Sequence, residues 1–252
     1  MKYAIITGTS KGLGASMAEK MIKAGVNVVG ISRNENPVLE ELASQSKVRY
    51  HHFRCNLTNV ENLDRTFAKI NDLVVKEDTE LVYLINNAAT VKPIDIATNQ
   101  TIEAVQAHMQ LNLIAPIITT SLLLKRARRK GIKTIIANVT SGAANRSTYG
   151  WSAYGSSKAG LNRFTETVAL EQKELGTENK VILLDPSIMD TNMQNDIRST
   201  DEESFRDVNQ FKQYKEENKL SDTADVANVF VTILLDDEQV VNGKYYSIKD
   251  YR

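Results

Sequence analysis

Short apolar runs rich in β-branched residues alternate along the chain with longer stretches that have the 3.6-residue period of a helix. These runs predict strands at 3–7, 26–32, 47–53, 80–86, 133–139, 180–185 and, more briefly, near 243–248. The intervening stretches predict helices at about 12–24, 37–46, 59–76, 100–130, 153–175, 201–217 and 222–236. The strand runs are apolar along most of their length, which is typical of strands covered on both faces of a parallel sheet.

The alternation of strands and helices predicts one α/β domain spanning residues 1–252, with a doubly wound parallel sheet of about seven strands and helices on both faces. No repeat and no Pro-, Gly- or Ser-rich linker divides the chain. Sheets of this kind bind ligands beyond the carboxyl ends of their strands. Residues that directly follow a strand are therefore the first candidates for chemistry.

A glycine-rich turn, Gly8-Thr9-Ser10-Lys11-Gly12-Leu13-Gly14, follows the first strand and leads into the first helix. Glycines permit close backbone approach, and a helix N-terminus offers free N–H groups to a phosphate. The spacing is neither Gly-x-Gly-x-x-Gly nor that of a P-loop, so a turn without a ligand is the alternative. Its position after the first strand favours a phosphate-binding turn.

The second strand ends at Ser32-Arg33, where folds that select NAD carry Asp or Glu to bond the ribose 2′-hydroxyl. An arginine instead attracts a 2′-phosphate, and Lys11 in the glycine turn adds a second cation. Two ordinary surface cations are the alternative interpretation. Because the acid is missing, the sequence favours NADP over NAD.

Composition narrows the choice of partners. Lys and Arg total 31, as do Asp and Glu, so the zero formal net charge indicates no nucleic-acid partner. The basic run 125–130 precedes Gly131 and is interpreted as a helix end, where cations complement the dipole. The histidines and Cys55 lack metal-ligand spacing, so no metal site is predicted. The apolar stretch 111–124 is short for a membrane span, and the start lacks a signal-peptide segment, so a cytoplasmic protein without a membrane partner is expected.

Several segments at or near the predicted strand ends together resemble the motif pattern of a known family. They are Thr7-Gly8-x-x-x-Gly12-x-Gly14, Asn86-Asn87-Ala88-Ala89, Asn112, Ser141, Tyr154-x-x-x-Lys158 and Pro186 through Thr191. In this order the chain resembles the short-chain dehydrogenase/reductase family over nearly its whole length, which implies a Rossmann fold. The finer resemblance is to the benzil reductases of that family that form (S)-benzoin, and more loosely to sepiapterin reductases. It is carried by IITGTSKGLG, TYGWSAYGSSKAG and DTNMQNDIRS.

The resemblance implies a catalytic set of Ser141, Tyr154, Lys158 and Asn112. Tyr154 would donate the proton, and Lys158, one helical turn away, would favour the phenolate and bond the nicotinamide ribose. Ser141 would bond the substrate carbonyl oxygen, and Asn112 would position a water that links the lysine to solvent. Taken alone, a Tyr and a Lys on a solvated helix face and a tolerated mid-helix Asn are the alternatives.

The cofactor residues implied by the family lie at the strand ends. They are Gly8, Ser10, Lys11, Gly12, Leu13, Gly14, Ser32, Arg33, Asn56, Leu57, Asn87, Ala88, Ala89, Tyr154, Lys158, Pro186, Ile188 and Thr191. Three positions depart from the family pattern: Ala89 and Ser187 stand where Gly is usual, and Asn56 where many relatives carry Asp. These departures affect the fine geometry of the cofactor rather than hydride transfer.

The substrate side is expected in a charged, solvated lid at about 187–220. Met189 and Met193 would supply an adaptable apolar wall, and Tyr149 and Trp151 an aromatic wall, with ordinary core packing as the alternative. Ser141 would complete the substrate contacts.

The predicted function is NADPH-dependent reduction of small ketones or aromatic diketones. The alternatives are a 3-oxoacyl-(acyl carrier protein) reductase and a non-catalytic NADP-binding redox sensor. The family implies a homodimer or homotetramer, often formed through the two long helices before and after the fifth strand.

Overall fold

The computed structural model describes residues 1–251, and its sheet follows directly from the apolar runs. The strands are β1 (Lys2–Thr7), β2 (Asn27–Ser32), β3 (Tyr50–Arg54), β4 (Leu81–Asn86), β5 (Lys133–Val139), β6 (Lys180–Asp185) and β7 (Tyr245–Ser247). They lie in the order β3-β2-β1-β4-β5-β6-β7, and all neighbouring pairs are parallel. The strand order reverses between β1 and β4, where sheets of this type bind ligands. The predicted doubly wound, seven-stranded Rossmann fold is confirmed.

The helices connect successive strands across the two faces of the sheet. They are α1 (Gly12–Lys23), α2 (Pro37–Gln45), α3 (Val60–Val74), α4 (Ile102–Met109), α5 (Ala115–Lys130), α6 (Ser152–Glu174), α7 (Asn192–Arg198), α8 (Val208–Glu216) and α9 (Thr223–Leu235). Both α7 and α8 lie in the segment predicted as a lid. The helix predicted at 201–217 starts later, because Asp201 accepts a hydrogen bond from the Ser204 N–H and holds a turn there.

Two apolar layers cover the sheet because successive residues of a strand point to opposite faces. On β1, Ala4 and Ile6 face one layer, whereas Tyr3 and Ile5 face the other. The first layer is built from α1, α2 and α9, with Met17, Met21, Leu39, Phe230 and Leu234 in its centre. The second is built from α3, α5 and α6, with Phe67, Ile70, Leu123 and Val168 in its centre.

The single helix predicted at 100–130 contains one wide turn, a π-helix at Gln110–Ile114. Pro116 has no N–H group to bond the Asn112 carbonyl, and the Ala115 N–H reaches back five residues to the Gln110 carbonyl instead. By length and composition alone, Ile102–Lys130 could cross a membrane. Core helices of globular proteins can have the same length and composition, and α5 packs here against α3, β5 and α6.

Candidate active site

A cavity of about 1130 Å³ opens at the carboxyl ends of β1, β2, β4, β5 and β6. Small-molecule pockets usually have volumes of about 300–1,000 Å³, so this one accepts a large ligand. Sixteen of the predicted cofactor residues line it: Gly8, Ser10, Lys11, Gly12, Leu13, Ser32, Arg33, Asn56, Leu57, Asn87, Ala88, Ala89, Tyr154, Lys158, Pro186 and Thr191. The other two lie outside the wall. A Cβ on Gly14 would stand 2.4 Å from the Gly8 carbonyl oxygen, and Ile188 packs into an apolar cluster instead.

The glycine turn has the geometry that a dinucleotide phosphate requires. Gly8 and Gly12 have φ values of +80° and +61°, which side-chain-bearing residues rarely adopt. A Cβ on Gly12 would meet nothing closer than Thr191, at 3.9 Å, so the space in front of the turn is open. The N-terminus of α1 has no side-chain cap and no acidic residue in its first turn, which leaves its N–H groups available for an anion.

The ends of β1 and β4 are joined by hydrogen bonds beneath that turn. The Thr7 hydroxyl accepts from the Asn87 and Ala88 N–H groups at 2.9 and 3.0 Å. The Asn87 amide in turn donates to the Thr7 carbonyl at 2.9 Å. These bonds hold the floor of the cavity at the switch point of the sheet.

The far end of the cavity carries two exposed cations. Lys11 and Arg33 both line it, and within residues 1–251 neither forms a salt bridge. The Ser32 hydroxyl, by contrast, is fixed: it lies 2.9 Å from His52 Nε2 and donates to the Asn34 carbonyl at 2.7 Å. This end can therefore take an anionic group between unpaired cations.

Lys158 lies at the opposite end, buried on α6. Its ammonium donates to the Val139 carbonyl at the end of β5, at 2.8 Å. Burial lowers the pKa of Lys158 to about 8, against the raising influence of the Asp185 carboxylate. Asp185 itself is held by the Tyr245 hydroxyl at 2.7 Å. The site thus contains a buried cation whose charge can be lost near the upper end of the physiological pH range.

Tyr154 is also buried, and its pKa moves opposite to the direction expected from the Tyr-x-x-x-Lys spacing. Burial raises the pKa of the phenol, a hydrogen bond with the Ser141 hydroxyl lowers it, and Asp185 raises it. The Lys158 ammonium lies 6.0 Å from the centre of the Tyr154 ring. Desolvation therefore outweighs the hydrogen bond with Ser141, and the phenol is held in its protonated form.

Asn112 is buried in the π-turn, where both ends of its amide bind backbone. Its oxygen accepts from the Thr90 N–H at 2.9 Å, and its nitrogen donates to the Thr90 carbonyl at 2.8 Å. The side chain therefore fixes the loop after β4 and lies outside the cavity wall. The predicted role in positioning a water stays a prediction.

His108 lines the cavity but was not predicted as a site residue from the sequence. It is 1% exposed and lies four residues before Asn112 on the same helix face. Its Nε2 lies 3.1 Å from both the Asn112 amide nitrogen and the Ser157 hydroxyl. The spacing from Asn112 was a usable signal, because two polar residues one turn apart on an otherwise packed face indicate a shared hydrogen-bond network.

The predicted aromatic wall is not found, because Tyr149 and Trp151 both lie outside the cavity. Tyr149 is 41% exposed and lies under the Arg206 guanidinium, which is 4.4 Å from its ring centre. Trp151 is buried, with its ring centre 4.8 Å from Phe205 and 5.2 Å from Tyr154. Packing against the 201–217 segment thus takes both aromatic rings away from the substrate.

Apolar wall residues come from the loop after β4 and from the two predicted methionines. Val91, Ile94, Met189 and Met193 line the cavity together with Ser141. Lys92 and Asp196, which also line the cavity, form an ion pair at 2.9 Å. The cavity therefore combines apolar walls with an exposed ion pair.

The segment 187–220 is less solvated than expected. Phe205, Val208 and Phe211 are buried in one cluster with Trp151, and α8 carries two of them. Asp201, Glu202, Glu203 and Lys212 of the segment are exposed. That this segment forms the lid of the substrate site stays a prediction.

Comparison with known proteins places this geometry in a family. A sequence model described as short chain dehydrogenase matches residues 2–202. The chain belongs to the short-chain dehydrogenase/reductase family. Benzil reductase ((S)-benzoin forming) from Bacillus cereus is 35% identical over 250 residues, which cover 99% of this chain and 100% of that protein. The enzyme of the same name from Bacillus subtilis (strain 168) is 36% identical over 252 residues, 100% of both chains.

Solved structures of the family show the same fold. A short-chain dehydrogenase from Sphingobium yanoikuyae in complex with NADPH superposes with a TM-score of 0.78 at 20% identity, covering 98% of this chain and 87% of that one. The family uses a nicotinamide cofactor. The protein is therefore an oxidoreductase that acts on carbonyl or hydroxyl groups.

The departures from the family pattern have visible structural consequences. Ser187 adopts φ +56°, in the left-handed region that favours glycine. Its N–H donates to the Asp185 carboxylate at 2.9 Å. Asn56 accepts from the Thr58 N–H at 3.2 Å, so part of its capacity goes to a local turn. Both residues still line the cavity, as does Ala89.

Proposed function

We propose that the protein is an NADPH-dependent carbonyl reductase that converts aromatic diketones such as benzil into hydroxy ketones. The observation that carries this proposal is the single cavity that joins Ser141, Tyr154 and Lys158 at one end to the unpaired cations at the other. Identity of 35% and 36% to two full-length benzil reductases supports the substrate class.

The chemistry follows from three side chains. Tyr154, kept protonated by burial, donates its proton to the carbonyl oxygen as that oxygen gains charge. Ser141, hydrogen-bonded to the phenol, stabilises the same oxygen. Lys158 supplies a positive charge beside the phenol and would bind the ribose hydroxyls of the cofactor. When bound, the reduced nicotinamide supplies the hydride to the carbonyl carbon.

The choice of NADPH rests on Arg33 and Lys11. Neither cation has a carboxylate partner within residues 1–251, so both are available to a 2′-phosphate. The end of β2 also lacks the carboxylate with which NAD-selective folds bond the 2′-hydroxyl.

The choice of substrate rests on the apolar wall. Val91, Ile94, Met189 and Met193 offer a surface suited to a flat, uncharged ligand, with the Ser141 hydroxyl as a polar anchor. An acyl-carrier-protein substrate would need a basic docking surface near the mouth. Beside the substrate wall, Lys92 is paired with Asp196, and the cavity residue Asp190 is paired with Lys215.

Two properties outside the site remain part of the proposal. We expect a homo-oligomer, either a dimer or a tetramer, and a cytoplasmic location. No nucleic-acid or membrane partner is expected, and within residues 1–251 no group of three His, Cys, Asp or Glu side chains is placed to hold a metal ion.

The first experiment is NADPH oxidation with benzil, run beside NADH and beside an acetoacetyl thioester. Rapid turnover of benzil with NADPH alone supports the proposal. Turnover of the thioester without benzil would assign the protein to 3-oxoacyl reduction. Tight NADPH binding without turnover of either would favour the redox sensor.

Tyr154→Phe tests the proton donor. We expect kcat to fall by about 100-fold or more, the usual contribution of a general acid, with little change in NADPH affinity measured by calorimetry. Tyr149→Phe is the matched control, because Tyr149 lies outside the cavity and should retain the wild-type rate. Unchanged turnover in Tyr154→Phe would contradict the mechanism.

A further inference from the structure

His108 is a buried titratable group that the proposed mechanism does not use. Its Nδ1 lies 2.6 Å from the Lys92 carbonyl oxygen, which can only accept a hydrogen bond. Nδ1 therefore carries the proton and donates it. Nε2 is then left as an acceptor, which fixes the tautomer of the neutral ring.

The partners of Nε2 agree with that tautomer. The Asn112 amide is oriented by its two bonds to Thr90, so its nitrogen points a second hydrogen toward Nε2 at 3.1 Å. The Ser157 hydroxyl lies at the same distance from Nε2, and its single hydrogen goes either to Nε2 or to the Tyr154 carbonyl, which is 2.8 Å away. A proton on Nε2 would face the Asn112 N–H and break this arrangement.

The network joins parts of the site that lie far apart in sequence. One side is the cavity-wall loop at Lys92, whose side chain forms the ion pair with Asp196. The other side is the first turns of α6, where Ser157 lies between Tyr154 and Lys158. The rings of His108 and Tyr154 also meet edge to face, with centres 6.1 Å apart.

The surroundings keep the imidazole neutral. Burial lowers the pKa of His108, the hydrogen bond with the Lys92 carbonyl raises it, and the Lys158 ammonium lowers it. The titratable side chains that face it from α6 are Tyr154 and Lys158. A neutral ring is the form that the hydrogen-bond pattern requires.

We propose that His108 is a positioning residue for carbonyl reduction: its neutral ring bridges the Lys92 loop to Asn112 and Ser157, and so holds the α6 turns that carry Tyr154 and Lys158. This proposal rests on the proposed reductase function. Both ring nitrogens are engaged, so only ring carbons are left to face the substrate, and His108 acts through its neighbours.

Two substitutions test the hydrogen bonds of the two ring nitrogens separately. In His108→Gln the amide reaches the position of Nε2 and can still accept from Asn112. In His108→Asn the amide occupies the position of Nδ1, so the bond to Lys92 survives while those to Asn112 and Ser157 are lost. His51→Asn, at an exposed histidine of β3, is the control.

Relative to wild type, we expect kcat of His108→Asn to fall about tenfold and that of His108→Gln to stay within about threefold. NADPH affinity and melting temperature should change little in both. Wild-type rates in both variants, equal losses in both, or a larger loss in His108→Gln would overturn the proposal.

Nitrogen NMR of the wild-type imidazole supplies a readout that needs no turnover and no stable variant. A neutral ring protonated on Nδ1 near neutral pH is expected, and a ring protonated on Nε2 or on both nitrogens would refute the proposal. The wild-type rate with benzil reports separately on the proposed function, so the two failures are distinguishable.

Discussion

Arg33 and Lys11 line the cavity, and within residues 1–251 no carboxylate forms a salt bridge with either of them. Arg33→Ala should weaken NADPH binding by about 10- to 100-fold, since a hydrogen bond to a charged group contributes about 1.5–3 kcal/mol. NADH lacks the 2′-phosphate, so its dissociation constant should barely move. Calorimetry with both cofactors checks this, with Arg129→Ala on the last turn of α5 as the control. Equal losses of affinity for both cofactors would show that Arg33 does not bind the 2′-phosphate.

We expect the lowered pKa of Lys158 to make cofactor binding depend on pH. Burial lowers its pKa from the ordinary 10.5 to about 8, so its positive charge is complete below that pH and is lost as pH rises through it. NADPH affinity, followed by fluorescence, should therefore fall above about pH 8. Lys158→Arg should remove this fall, because a guanidinium stays charged. Tyr154→Phe should keep it, and loss of the fall in Tyr154→Phe would assign the titration to the phenol instead.

The loop before α6 and the 201–217 segment approach so closely that only glycine fits between them. Gly150 has φ +83°, and a Cβ there would lie 2.1 Å from the Ser204 carbonyl oxygen. The neighbouring Trp151 stacks on Phe205 and also contacts Tyr154. The packing of the 201–217 segment is thus linked to Tyr154 through the stacked rings of Trp151 and Phe205.

Gly150→Ala should lower the free energy of unfolding by about 3 kcal/mol, because a steric clash is added to left-handed strain. Displacement of Phe205 should also raise KM for the ketone. Gly25→Ala is the matched control: Gly25 has φ +80° with nothing within 4 Å of its Cβ position, so only strain of about 1 kcal/mol is expected. Chemical denaturation measures both values, and equal losses would show that the close contact is unimportant.

The same elements show what sequence can and cannot predict. Most strands were predictable because they are continuous apolar runs, and the turn after β1 was predictable because Gly8 and Gly12 need positive φ. The buried position of Trp151 was not predictable. It depends on packing against Phe205, which is far away in sequence and lies in a segment rich in charged residues. The direction of the Tyr154 pKa also depends on burial, which helical spacing does not report.

The helices beside β5 expose apolar side chains that are not buried in either core layer. Ile102, Ile114 and Leu170 are 72%, 37% and 56% exposed on α4, at the start of α5 and on α6. Only 39% of the most apolar stretch of Ile102–Lys130 is buried. Apolar side chains on adjacent exposed helices are typical of interfaces, which supports a homo-oligomer assembled through α5 and α6.

Leu170→Glu tests that interface. In a two-fold interface the same residue occurs on both sides, so the substitution would bury two carboxylates near each other. Wild-type protein should sediment at a multiple of the 28.1 kDa chain mass, and the variant at a smaller multiple. Val241→Glu introduces the same charge at a site that is 55% exposed, beyond α9, and should leave the wild-type mass unchanged. A monomeric wild type would contradict the proposed assembly, and a variant that keeps the wild-type mass would place the interface away from α6.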